Sequence, residues 1–354
     1  MILHSIHLHR FRNYEKASFS FSPSLNVIYG ANAVGKTNLL ESIFFLTGAR
    51  SWRCRKDTEM ILFGSRDAVV EAFFHAGGRD TELKLILSHQ EKRRIFAGGV
   101  ALHSPRELLG KIPSVLFAPE DLQLLRGGPA CRRRFMDMAL CQIYPRYMQM
   151  LSDYRRLQMG KTKILKSRNE RLHAALPEYH LRMAAVSVEI HRYRVRFVTF
   201  IEQEAQRMHA LCAPGEVLTL SYISQVKDIE ESAEELAEHM SRRLAVEMQQ
   251  GLCLVGIHRD DIDVVLNGKP VREYASQGQT RTAAISMKLA ERAVLMREFG
   301  EPPLLLLDDV LSELDAERQL FLLKNVADGQ VFITTCSADG LVSAENGKNI
   351  LLPP

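Results

Sequence analysis

Leu25-Asn26-Val27-Ile28-Tyr29-Gly30-Ala31-Asn32-Ala33-Val34-Gly35-Lys36-Thr37-Asn38-Leu39-Leu40-Glu41 decides the fold. Its first five residues are a short, largely apolar run that suits a buried strand, and a helix-forming run resumes after Thr37. Between them, Gly30 to Thr37 satisfies the spacing G-x-x-x-x-G-K-[ST]. Glycines let the backbone curl so that successive N–H groups converge on phosphate oxygens, and the helix N-terminus adds partial positive charge. Lys36 is then placed to reach β- and γ-phosphates, and the Thr37 hydroxyl can ligate Mg²⁺. A Gly-rich turn before an ordinary helix is the alternative, and a second, distant motif argues against it.

That second motif is Leu304-Leu305-Leu306-Leu307-Asp308-Asp309, an apolar strand ending in two acids. A phosphate loop needs such a strand opposite it, with a carboxylate at its end to hold Mg²⁺. Asp308 fits that role, and Asp309 can polarise the attacking water as general base. Ser276-Gln277-Gly278-Gln279 opens a long helix and offers a hydroxyl and bare N–H groups to another phosphate. Alone it reads more readily as an ordinary N-cap, and its place between the two motifs favours the phosphate reading.

The 354 residues suffice for two or three domains, and 46% hydrophobic with 25% charged content is that of an ordinary globular chain. No apolar run approaches a membrane span, and Met1 to Ser5 has no basic-then-apolar leader pattern. The six cysteines show no metal spacing, which suits a reducing cytoplasm. Net charge is only +4, yet residues 122–200 hold sixteen Lys/Arg against five Asp/Glu. A basic block in a near-neutral chain points to a polyanion surface. Its clusters are Arg132-Arg133-Arg134, Lys161/Lys163/Lys166/Arg168/Arg171 and Arg192/Arg194/Arg196, the last at a spacing that spreads around a helix.

Alternation over Ile2–Leu8 and Lys16–Phe21 predicts half-buried strands, followed by strand pairs at Ala68–Phe74 and Thr81–Leu87 around Gly77-Gly78, and at Arg93–Val100. From Phe117 to about Gln250 the pattern is mostly helical, with breaks at Pro145, Pro177 and Pro214 and one strand at Val217–Ile223. Asp228 to Gln250 reads as an acidic helix. Asp261–Leu266 and Pro270–Tyr274 flank Asn267-Gly268, a strong hairpin signal. His258-Arg259-Asp260-Asp261 reads as a salt-bridged turn before it. The expected domains are therefore 1–121 and 251–354 as two halves of one α/β unit with mixed β-sheet, interrupted by a helical, basic insertion at 122–250.

The order of loop, insertion, signature, Asp308-Asp309 and Ser312-Glu313-Leu314-Asp315 resembles an ATP-binding-cassette head of the SMC type. Phe11-Arg12-Asn13-Tyr14, Gly30 to Asn38, Phe117 to Leu122, Gly127 to Pro129, Arg132 to Asp137, Gly256 to Asp261 and Ala275 to Gln279 narrow the resemblance to the RecF family, across essentially the whole chain. That resemblance implies a homodimer formed on ATP, with two nucleotides between the heads. Each site would take Gly30, Ala31, Asn32, Ala33, Val34, Gly35, Lys36, Thr37, Asn38, Asp308 and Asp309 from one subunit and Ser276 from the other. Arg12 would approach the phosphates, and Asp315 would lie at the dimer seam. ATP and Mg²⁺ are the implied cofactors. DNA is the implied partner, single-stranded and at gaps or single-strand/duplex junctions, with mediators of the RecO and RecR type and no membrane. Weak hydrolysis would reset a clamp that helps load a recombinase.

Three positions depart from the pattern. Ala33 stands where many relatives have glycine, which is tolerable if its φ is negative. Asp309 replaces the glutamate usual in cassettes, and Thr334-Thr335 occupies the place of a transporter's switch histidine. A transporter ATPase subunit and a P-loop kinase are the competing classes. The missing histidine, the roughly 240 residues between loop and signature and the basic insertion disfavour the first; the second has no use for Ser276.

Overall fold

Period-two alternation builds the first hundred residues. The chain is described by a computed structural model, covering residues 1–353 apart from 50, 55, 77, 105, 106, 168, 226–232 and 338–346. β1 (Ile2–Phe11), β2 (Tyr14–Ser20), β3 (Leu25–Tyr29) and α1 (Lys36–Phe45) come first, then β4 (Asp67–Ala76), β5 (Arg79–Ser88), β6 (Arg94–Ala97), β7 (Val100–Leu102) and β8 (Ser114–Phe117). β1, β2 and β4 to β7 pair antiparallel in the order β2-β1-β4-β5-β6-β7. One face carries Leu3, Ile6, Leu8, Val70, Ala72, Phe74, Leu83 and Leu85, all buried, by alternation broken only at the register shift between Leu3 and Ser5. Of the expected turn glycines, Gly77 lies outside the described residues.

The next stretch holds α2 (Pro129–Ile143), α3 (Pro145–Leu165), α4 (Glu170–His173), α5 (Leu176–Cys212), β9 (Leu218–Ile223), α6 (Ala233–Arg242), α7 (Leu244–Gln250), β10 (Asp261–Leu266), β11 (Lys269–Pro270) and α8 (Val271–Tyr274). It ends in α9 (Gln277–Phe299), β12 (Leu304–Asp308), α10 (Ala316–Asn325), β13 (Val331–Thr335) and β14 (Lys348–Leu351). Pro145 and Pro177 start helices rather than end them, because the first turn needs no N–H from proline. α5 runs 37 residues, about 55 Å at 1.5 Å per residue.

Two compact units result, one of Met1–Leu122 with Ala284–Pro354, the other of Gln123–Ala283. The first contains a second, wholly parallel sheet in the order β14-β3-β13-β12-β8. β12 is buried along its full length, which explains its continuous leucine run. Parallel and antiparallel strands thus occupy separate sheets within the α/β head.

The second unit extends to Ala283, past the boundary read after residue 250. Its extra segment contains β10, which pairs with β9 from Asp261↔Ile223 to Leu266↔Leu218 and so belongs to the same sheet, β11-β10-β9. The hairpin at Asn267-Gly268 is present, with φ of 51° and 77°, the positive pair that a two-residue turn requires. Its second strand is cut short: only Lys269–Pro270 pairs, and Val271–Tyr274 is a helical turn rather than the predicted strand. Pro270 has no N–H to extend the ladder and serves as that turn's N-cap. Arg168 and the start of the acidic Asp228–Gln250 stretch lie outside the described residues; α6 begins at Ala233.

Candidate nucleotide-binding site

Two glycines shape the loop between β3 and α1. Gly30 has φ +152°, and a Cβ there would stand 2.7 Å from the Leu352 carbonyl oxygen. Gly35, the N-cap of α1, has φ +112°, and its Cβ would meet Asn13 Nδ2 at 2.7 Å and Tyr14 Oη at 2.9 Å. Ala33 has φ +69°, so the condition of a negative φ is not met. Its methyl is held in the left-handed region, at a cost of about 1–2 kcal/mol.

The loop is clamped through its carbonyls. Asn13 Nδ2 donates to Val34 O (3.0 Å) and Tyr14 Oη donates to Gly35 O (3.0 Å). Burial pushes the Tyr14 phenol up, so it stays a donor. Asn38 Nδ2 donates to Asn13 Oδ1 at 2.8 Å, and Arg53 Nη1 donates to Asn38 Oδ1 at 2.7 Å. α1 has no side-chain cap, so its first-turn amides have no side-chain acceptor and are available to an anion. Lys36 is buried, and its Nζ donates to Gly30 O at 2.7 Å and Ala31 O at 2.9 Å. Cys336 Sγ lies 3.9 Å from that Nζ and donates to Asn32 Oδ1 at 3.0 Å.

Asp308 closes the far side. Thr37 Oγ1 donates to Asp308 Oδ1 at 2.9 Å, and Thr334 Oγ1 donates to the same oxygen at 2.8 Å. β12 and β13 are parallel and in register at Asp308↔Thr334, which fixes the second contact. Desolvation raises the Asp308 pKa above the usual carboxylate value, and the two hydroxyls only partly offset it. A buried carboxylate beside a hydroxyl, both hard oxygen donors, is a site that a divalent cation would stabilise. These residues fit Mg²⁺. Asp309 follows at φ +50°, its N–H donating to Thr334 Oγ1 at 2.8 Å.

Other expected residues lie elsewhere. Arg12 is engaged with Glu41: Nε and Nη2 donate to its two oxygens at 2.8 and 2.7 Å, and Nη1 donates to Glu59 O. Glu41 is fully buried on α1 and also accepts from Ser51. Ser276, exposed in the second unit, caps α9 reciprocally with Gln279: Gln279 N donates to Ser276 Oγ (3.2 Å) and Ser276 N donates to Gln279 Oε1 (2.9 Å). Asp315 caps α10 through Arg318 N, which lowers its pKa.

Within the second unit, several basic residues are structural. Arg132 is buried in a bidentate pair with Asp261 (2.7 and 2.8 Å). Arg194 is buried against Asp137 and Asp260, both at 2.9 Å, and Lys161 against Glu247 at 2.6 Å. The His258–Asp261 segment is thus a salt-bridged turn. Arg134, Lys163, Lys166, Arg171, Arg192 and Arg196 remain exposed.

The family model described as RecF/RecN/SMC N terminal domain matches residues 2–351. A Shouchella clausii protein named DNA replication and repair protein RecF is 40% identical, over 96% of this chain and 94% of its own. A Symbiobacterium thermophilum protein of the same name is also 40% identical, over 98% and 94%. The chain belongs to the RecF family. Among solved structures, one titled recombination mediator protein RecF-ATPrS in RecFOR pathway superposes with a TM-score of 0.89 at 30% identity, over 98% and 95% of the two chains. An Smc head domain from Pyrococcus furiosus shares the fold at 14% identity and a TM-score of 0.57, over 99% and 94%. The fold is that of an SMC-type ATPase head. No helix among the described residues is long and apolar enough to cross a membrane.

Proposed function

We propose that this chain is an ATP-switched, DNA-binding protein of recombinational repair and replication. The convergence of Lys36, Thr37, Asp308 and Thr334 on one loop carries the reading. Relatives are named for DNA replication and repair, and a RecF–ATP structure superposes at 30% identity with a TM-score of 0.88. Gly30 to Asn38 form the nucleotide-binding set, which Arg12 would join by exchanging its Glu41 contacts for phosphate oxygens. Loop amides and the Lys36 ammonium would neutralise a bound triphosphate, and Thr37 with Asp308 would hold Mg²⁺, which supplies charge screening when bound. Asp309 takes a proton from the attacking water. Its short side chain suits slow turnover. Ser276 of the partner subunit completes the site, so two copies join only when nucleotide is bound. The exposed cations of the second unit supply salt-dependent affinity for DNA, single-stranded and at gaps or junctions. Mediators of the RecO and RecR type are the protein partners, in the cytoplasm.

Sedimentation of wild type and Lys36→Arg, with and without Mg-ATP and gapped DNA, tests this. ATP-dependent dimers that tighten on DNA and disappear in the variant are expected. A monomer indifferent to both ligands overturns the proposal.

A further inference from the structure

The antiparallel sheet of the first unit brings two imidazoles and a carboxylate to one place. His4 lies on β1, His75 on β4 and Asp80 on β5, neighbours in sheet order. His75 and Asp80 face each other in register, and His75 Nδ1 lies 2.8 Å from Asp80 Oδ1. Directly opposed residues share a face, so this pair points to one side of the sheet.

His4 reaches the same side by a different device. Leu3 pairs with Phe74 and Ser5 with Phe73, consecutive positions on β4, so His4 is the extra residue of a bulge. Leu3 and Ile6 are both buried although three apart, which strict alternation forbids and the bulge permits. His4 is thereby exposed, its ring centroid 6.4 Å from that of His75. One donor atom from each of the three residues lies within 4.8 Å of the others. Among the described residues this is the one group of three or more His, Cys, Asp and Glu with such convergence.

We propose that His4, His75 and Asp80 bind a divalent transition-metal ion of the zinc class. Two imidazoles and one carboxylate are the donor set such ions select, whereas the all-oxygen pair Thr37 and Asp308 suits Mg²⁺. Metal–ligand bonds of about 2.0–2.2 Å in tetrahedral array put donors about 3.3 Å apart. The His75–Asp80 contact is shorter than that, and the donor atom of the exposed His4 ring lies within 4.8 Å of both. Three protein ligands leave a fourth position for water or an outside donor. The ion would pin three adjacent strands beside the turn between β4 and β5.

Titration calorimetry with Zn²⁺ on the full chain, its exposed thiols Cys131 and Cys336 first alkylated, tests the site. Wild type should bind one ion at least ~10-fold more tightly than His4→Ala or His75→Ala, and Zn²⁺ should raise its Tm but not theirs. His9→Ala, on the same strand but outside the group, should bind as wild type does. Asp80→Asn repeats the test should a histidine variant fail to fold. Equal affinity in wild type and all three ligand variants, or no binding by wild type at ~100 μM Zn²⁺, overturns the proposal.

Discussion

At the scale of single residues, the candidate nucleotide site holds two groups in unfavourable states. Asp308 is one. Its raised pKa means the folded state binds a proton more tightly than the unfolded chain, so ionised Asp308 destabilises the protein above that pKa. Asp308→Asn keeps an acceptor for Thr37 and Thr334 but removes the buried charge. The variant should melt up to about 2 °C higher than wild type without nucleotide, while losing Mg²⁺-dependent hydrolysis; calorimetry and a phosphate-release assay check the two halves. Ala33 is the other, at φ +69°. Ala33→Gly relieves about 1–2 kcal/mol of strain against about 0.5–1 kcal/mol of extra chain entropy. Urea denaturation should show a gain of about 0.5 kcal/mol, with nucleotide affinity unchanged or better. Lys36, Thr37 and Asp308 were legible in the sequence because their chemistry dictates spacing along the chain. In the sequence Thr334 stands out only as the place of a missing histidine. Its contact with Asp308 depends on the register of two parallel strands, which local sequence does not encode.

At the scale of elements, the helices of the second unit are joined by buried ion pairs. Lys161 on α3 and Glu247 on α7 are both 0% exposed and 2.6 Å apart. Glu247 Oε1 also accepts from Leu254 N at 2.6 Å. Lys161→Met strands a buried carboxylate and should cost about 3–5 kcal/mol by denaturant titration. Adding Glu247→Gln, which keeps the Leu254 bond without the charge, should recover most of that loss. Equal stability of the single and double variants sinks this account. These pairs also put part of the basic stretch in the interior, where its charge count suggests surface. Arg132, Lys161 and Arg194 find partners 129, 86 and 66 positions away, at Asp261, Glu247 and Asp260. Helical phase could show Arg194 pointing away from Arg192 and Arg196, but not toward what. The short β11 has a similar origin: Asn267-Gly268 announced the turn, and Pro270 ended the pairing three positions later.

At the scale of the whole molecule, acid acts mainly on the second unit. Burial lowers the pKa of His180, to about 4, and those of His191, His209 and His258. The unfolded chain therefore takes up more protons than the folded one between about pH 6.5 and 4, and stability falls as pH drops through that window. Asp260, raised by desolvation, opposes this, but one carboxyl stands against four imidazoles. Lowering the pH from 7.5 to 5 should lower the calorimetric Tm by several degrees and release hydrogen-exchange protection along α5 before that in β12. Protection lost first in β12 contradicts the assignment. The two-unit division itself was only partly legible: the insertion's start is marked by a change of pattern, whereas its end depends on β10 returning to β9.

The parallel sheet has a consequence for time. β3, which carries the phosphate loop, is flanked by β13 and β14, the last two strands of the chain. A ribosome adding about 5–20 residues per second needs roughly 15–60 s to travel from Leu25 to Val331. Throughout that interval the strand that orders Lys36 has neither neighbour, and Thr334 does not yet exist to hold Asp308. A nascent chain stalled before Val331 should therefore not be retained on immobilised ATP, while the released full-length chain should be. The phosphate loop gains both neighbouring strands only after Leu351 is made.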